Sequence, residues 1–380
     1  MKTKKTLLFI CLLLFVSCIG ENGQVQESSN YILEQLPDKC FELDENTVQT
    51  TPYMQYIAEQ DLFCFTNEYD NSITINDFTT GKTKKKIYFD KEGSNGVGSI
   101  SSFYIQDSLV YLHHHWNNKV YITDTCGILI KSIPLLLQEH AVAKGIYAPA
   151  ILPHTYSPIK LVDNKLLLSG YQADKMQEAG KDCPSAILYD LTTGNIDFVN
   201  NYPPIYQKGF WGHNMRLTYY TINPNKEIVV SFPADVFIYV IDPDKKNETK
   251  RYYAGITDPK KQISPVVQDK TRSVPFDLQM EHYMKNIIYG AIYYDDVEQI
   301  YYRIVLLPTK MNADNNDEKY NKRLQLIALD SDFQIIGKYD LPEDFYWSGC
   351  AFLSKEGLHI QTKSDNDDIM RFKTFKIRRK

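Results

Sequence analysis

No stretch of this sequence is long and apolar enough to cross a bilayer as a helix, since its main apolar run, residues 7–16, falls short of the ~20 residues required. Convincing 3.6-residue periodicity over helix lengths is nearly absent, which argues against helical bundles and βαβ architectures. Cysteine and histidine are sparse, at seven and eight, and no CxxC or mixed Cys/His ligand spacing occurs. A zinc site is therefore not expected. The net charge of -5 supplies no field suited to holding nucleic acid, and the basic terminus "KTFKIRRK" reads as the solvated end of a last strand. There is no GxSxG elbow, no HExxH helix and no Walker motif. "GSNGVG", with Gly93, Gly96 and Gly98, is followed by a strand pattern, whereas a phosphate loop needs a helix behind it. No cofactor is implied. A glycosidase-type carboxylate pair has no fixed sequence spacing and stays open as an alternative.

The N-terminus reads as an address. Lys2, Lys4 and Lys5 precede the apolar run, as in a signal peptide spanning residues 1–17. The run ends in "LFVSC", which resembles the lipobox of bacterial lipoproteins and implies diacylglycerol on Cys18, hence a membrane partner and an outer-membrane location facing the periplasm or the cell surface. Polar residues follow, so residues 18–38 are expected to be a tether and residues 39–380 one domain. Within that domain Cys40, Cys64, Cys126, Cys183 and Cys350 allow at most two disulfides and are expected to be small buried hydrophobes.

What the chain has in abundance is strand-forming residues, with 28 Tyr and 18 Phe among them. A unit recurs: a short alternating strand ending at Asp, a turn with Gly, Asp or Asn, then a second strand. "SITINDFTTGKTKKKIYF", "KVYITDTCGILIKSI", "AILYDLTTGNIDFV", "VFIYVIDPDKKNETKRYY" and "LQLIALDSDFQIIGKYDL" all follow it. Each is preceded by another strand pair, which gives five groups of four strands, a to d. A sixth group has only "YWSGCAFL", "GLHIQT" and "MRFKTFKI", while "KCFEL" waits unused near the N-terminus. The pattern predicts an all-β, six-bladed β-propeller of four-stranded antiparallel blades, its last blade closed by the N-terminal strand, with seven blades as the alternative count. In such blades the a–b and c–d turns share one end and the b–c turns and blade links the other. The first set is short and the second long, so the loop-rich end is expected to bind any partner.

Two stretches there carry candidate chemistry. In "SLVYLHHHWNNKVYITD", His113 and His115 fall on one side of a strand end beside Trp116; two histidines alone do not make a metal site. In "GFWGHNMRL", Trp211, His213 and Arg216 combine a stacking surface, a titratable ring and a guanidinium suited to a sugar or carboxylate. "NADNNDEK" and "SDNDD" lack EF-hand spacing and read as solvated loops.

At "ELDENTVQTTPYMQYI", "KEGSNGVGSISSFYI", "VVSFPADVFIYVID", "YYDDVEQIYYRIVLLP" and "SKEGLHIQT", the chain resembles a Bacteroidetes lipoprotein family known as a domain of unknown function, and more distantly the TolB-like six-bladed propellers. The resemblance implies a cell-envelope location and transfers no catalytic residue. The expected function is a lipid-anchored binding or scaffolding module that engages a glycan, peptide or envelope protein through its loop-rich face. The alternative is a polysaccharide hydrolase or lyase with its site in the central channel.

Overall fold

The computed structural model describes residues 30–51, 53–172, 182–245, 248–268, 274–311, 319–342 and 346–380. The predicted signal peptide, the lipidation site Cys18 and most of the loop "NADNNDEK" lie outside the described residues. The N-terminal strand is β1 (Tyr31–Glu42). Blade 1 then contains β2 (Met54–Ile57), β3 (Leu62–Asn67), β4 (Ser72–Asp77) and β5 (Thr83–Tyr88), and blade 2 contains β6 (Ser102–Gln106), β7 (Leu109–His114), β8 (Lys119–Asp124) and β9 (Leu129–Pro134). Blade 3 contains β10 (Ala150–Ile151), β11 (Lys160–Val162), β12 (Lys165–Tyr171), β13 (Pro184–Asp190) and β14 (Ile196–Asn201). Blade 4 contains β15 (Tyr219–Ile222), β16 (Ile228–Ser231), β17 (Phe237–Ile241) and β18 (Thr249–Tyr253). Blade 5 contains β19 (Ile288–Asp295), β20 (Ile300–Met311), β21 (Lys319–Leu329) and β22 (Ile335–Asp340), and blade 6 contains β23 (Tyr346–Ser354), β24 (Gly357–Thr362) and β25 (Ile369–Arg379). The chain is a six-bladed propeller, and the count of seven is excluded.

The recurrent Asp is a turn device. Asp124 Oδ1 accepts the backbone N–H groups of Cys126 and Ile128, Asp190 those of Thr192 and Thr193, and Asp330 those of Asp332 and Gln334. Each carboxylate thus replaces the ladder partners that the turn removes. Two glycines of these turns also permit close packing between blades. Gly81 and Gly127 have positive φ, and a Cβ on either would stand 2.3 Å or 2.2 Å from a carbonyl oxygen of the neighbouring blade's outermost strand. Burial falls outward across a blade. In blade 1, β3 and β4 are almost wholly buried while β5 presents Lys84 and Lys85 to solvent, which blunts the sheet edge.

Closure follows the sequence expectation. β1 pairs antiparallel with β25 from Tyr31 opposite Arg379 to Glu42 opposite Ile369, and the register shifts between Leu36 and Lys39, where Pro37 has no N–H to donate. Phe41 then stacks on Phe63 of blade 1 at 4.2 Å and meets Phe372 of blade 6 edge-on at 5.9 Å. The tether boundary needs correction: residues 31–38 are strand, because β25 offers a full-length edge that the shorter "KCFEL" would leave half unpaired.

Blades 4 and 5 are joined by Arg303 of β20, which is 0% exposed. Its five N–H groups reach Ser231 Oγ and the carbonyls of Asp235, Val236, Phe237 and Ala254, and its guanidinium lies 4.4 Å from the Tyr289 ring centroid. Two helices were not legible as periodic patterns. α1 (Leu137–Lys144) buries only Leu137 and Ala141, and α2 (Phe276–Lys285) buries no residue fully, so neither carries an apolar stripe. Among the described residues no cysteine is in a disulfide; Cys64, Cys183 and Cys350 are buried as expected, but Cys40 and Cys126 are exposed because they sit on an outermost strand and in a hairpin turn.

Candidate functional site

In blade 3 the innermost strand is split. β10 and β11 both pair with β12, and the intervening residues 152–159 leave the sheet. They cross the axis of the propeller. Thr155 Oγ1 accepts the Met54 amide of blade 1, the Tyr156 carbonyl accepts the Tyr220 amide of blade 4, and the Tyr156 ring approaches Gly349 of blade 6. His154 stacks between Tyr53 at 5.5 Å and Tyr156 at 4.9 Å, and burial holds its imidazole down to a pKa of about 4. This part of the link, expected on the loop-rich end, is instead a plug, since an isolated hairpin excursion can bury its aromatic residues only in the channel.

Below the plug the innermost strands of all six blades enclose a cavity of about 690 Å3. Thr155 and Pro158 form its roof, while Ala58, Asp163, Lys226, Asp296 and Lys355 line its mouth, all at a–b turns. This cavity therefore opens at the short-turn end, opposite the loop-rich end favoured by the sequence. Its size is in the range of small-molecule sites.

Part of the wall is aromatic. Tyr56, Tyr104 and Tyr220 direct their hydroxyls to Asp61, Gln106 and the Pro158 carbonyl, which leaves ring surface toward the cavity. Burial raises the Tyr104 phenol to about 12, so it stays protonated. Two cations at the mouth are neutralised: Lys226 pairs with Asp163 at 2.6 Å and Lys355 with Asp61 at 2.9 Å. Some desolvation opposes it, but Lys355, Thr79 and Tyr56 hold Asp61 down to about 2. Asp295 is buried and occupied, accepting the Val297 and Glu298 amides and the Tyr302 hydroxyl. Lys160 is different. It is half-buried, its ammonium lies 5.3 Å from the Tyr104 ring centroid, and among the described residues no carboxylate comes within ion-pair distance. Desolvation draws it below the ordinary lysine range, with Glu59 and Asp296 opposing at longer range. Asp296 makes no hydrogen bond among the described residues, and burial and then Asp295 raise its carboxyl. The sequence signal for these groups was slight: a lysine opening the otherwise apolar "KLV" of an inner strand, and a doubled Asp at a turn.

The residues singled out by sequence separate. Trp211 is 2% exposed and packs on Tyr206 at 5.2 Å, so it cannot offer a stacking face to a ligand. Arg216 donates to the Gly212 and Gln172 carbonyls, and His213 stands edge-on to Tyr171 at 5.0 Å with its imidazole lowered by burial and by Arg216. This trio organises a loop. His113 is 1% exposed with neither ring nitrogen hydrogen-bonded among the described residues, and burial pushes it down to about 3, so it also cannot touch a ligand. His115 donates from Nδ1 to the Ile151 carbonyl at 2.8 Å and lies edge-on to Trp116, which is 89% exposed. His114, His115 and Trp116 line a smaller recess of about 360 Å3 with Tyr53 and Glu68. Among the described residues no three His, Cys, Asp or Glu side chains converge as metal ligands would.

A family model described as a domain of unknown function, DUF4221, matches residues 30–338 of this chain. A solved member of that family from Bacteroides vulgatus is 20% identical, with 93% of this chain and 100% of that one covered at a TM-score of 0.74. A protein from Bacteroides fragilis described as exported is 11% identical, with 94% and 97% covered at a TM-score of 0.53. Both likenesses concern the fold. No functionally curated protein matches.

Proposed function

The chain belongs to the DUF4221 family, a domain of unknown function, and on that footing we propose that it is an exported, lipid-anchored binding propeller whose ligand enters the central channel from the short-turn end. The observation that carries this reading is the plugged channel: residues 152–159 close one end and leave a walled, partly charged cavity of about 690 Å3 at the other. A Bacteroides fold relative described as exported supports an envelope or secreted location, and Cys18 is the proposed lipid attachment that makes it an outer-membrane lipoprotein. Binding is favoured over glycoside hydrolysis by the carboxylates. Of Asp163, Asp295 and Asp296 in the cavity, the first is paired with Lys226 and the second is buried under backbone donors, so only Asp296 is open where a glycosidase needs two.

The test is thermal stabilisation of the full-length protein by a small-molecule and glycan-fragment library, since a ligand of the folded state raises Tm by mass action. Hits should lose their effect on Ala58→Trp, which fills the mouth from an exposed turn, and keep it on Trp116→Ala. The opposite pattern would transfer the function to a second reading, glycan or envelope-protein capture at the loop-rich end, which the exposure of Trp116 beside the smaller recess favours.

A further inference from the structure

The three lysines of the cavity are not equivalent. Lys226 and Lys355 stand at the mouth with carboxylates against them. Lys160 starts β11 deeper in the wall, partly withdrawn from water, with its ammonium near the Tyr104 ring. A cation–π contact stabilises the charge but takes up little of its hydrogen-bonding capacity, so Lys160 keeps N–H donors for a guest. Withdrawing an ammonium from water without a counter-ion is unfavourable, and an anion arriving at that point relieves the cost.

Charge count narrows the anion. The lining holds Lys160, Lys226 and Lys355 against Asp163, Asp295 and Asp296. Once the Lys226–Asp163 pair, Lys355 with its partner Asp61 outside the lining, and the buried Asp295 are set aside, one open cation remains inside and one open carboxyl at the rim. A phosphate dianion would pass an acidic rim to meet a single lysine. A monocarboxylate matches that lysine, and Asp296 is then left to accept hydrogen bonds from the guest's other end. The same cavity is lined by the rings of Tyr56, Tyr104 and Tyr220, a surface suited to the C–H face of a ring or an apolar side chain.

We propose that the cavity takes a small monocarboxylate carrying hydrogen-bond donors at its far end, an acidic sugar or an amino acid, with its carboxylate on Lys160 and its donors at Asp296. This rests on the cavity being the ligand site.

The experiment is titration calorimetry of the full-length protein with D-galacturonate, D-galactose, L-threonine and inorganic phosphate. One of the two carboxylates should bind, and which one does identifies the source; galactose and phosphate should bind at least about tenfold more weakly. Lys160→Met keeps the stem and removes the charge, and should weaken binding about tenfold or more, while Lys160→Arg stays within a few-fold and Asp296→Asn loses several-fold. An unchanged Tm for Lys160→Met separates lost recognition from lost folding; if that variant is unfolded, the comparison of galacturonate with galactose on the native protein decides. Absence of binding by both carboxylates, equal binding of galactose or phosphate, or full affinity in a folded Lys160→Met protein overturns the inference. If a neutral ligand from the library binds and Ala58→Trp blocks it, the cavity remains the site and only the ligand class is wrong. If galacturonate binds Ala58→Trp as well as the native protein, the cavity reading itself falls.

Discussion

Arg303 and His113 are both buried, and they predict opposite responses to mutation. Arg303 satisfies every one of its donors, and burial lowers it only to about 10, so it remains charged at neutral pH. Arg303→Met would take a donor from each of the buried acceptors that converge on it, and should destabilise by about 3–5 kcal/mol in denaturant titrations. Arg303→Lys should fail almost as badly, because an ammonium is one point and not a planar fork. His113 has no such network; Asn118 leans toward it but gives its amide to the Leu135 carbonyl. His113→Leu should therefore leave Tm at pH 7 unchanged or raise it, since it removes polar atoms that burial leaves unsatisfied. A fall of several degrees would show that the ring has a partner.

Among the elements, β1 has the widest effect because it completes one blade and packs on the next. Phe41 is fully buried against Phe63, Phe78 and Phe372, rings from both sides of the closure. Phe41→Ala should cost about 3–5 kcal/mol, read as a shift of the denaturant midpoint at unchanged slope. Removing residues 31–42 should go further and produce concentration-dependent aggregation, because β25 would become an open edge; a monomeric, cooperative truncation would contradict the closure. Most elements were legible beforehand, since strand alternation, the terminal Asp and the turn Gly are local. The helices were not: α1 buries only Leu137 and Ala141, and α2 has Phe276 and Leu278 exposed, so no stripe announces either one.

For the molecule as a whole, pH is a sensitive probe. Burial lowers His113 and His359 to about 3 and His154 to about 4, against about 6.5 in an unfolded chain. The unfolded state therefore takes up protons first as pH falls, and stability, fully present above pH 6.5, should decline steadily toward pH 4. Chemical denaturation at pH 7, 5 and 4 measures this, and a flat profile would mean that these rings are solvated. In His113→Leu the decline should be shallower.

Sequence alone determined the strand content, the four-stranded unit, the turn chemistry and the pairing of the N-terminal strand with the last blade, because each is written in residues adjacent or regularly spaced along the chain, whereas the closed ring excluded a seventh blade. It could not show that residues 152–159 turn into the channel. That path depends on contacts such as Met54 with Thr155 and Tyr156 with Tyr220, between segments that only the closed ring brings together. For the same reason Lys160 read as one polar residue in an ordinary strand. Whether its charge is neutralised depends on which side chains five other blades place around it, and only the tertiary structure decided that.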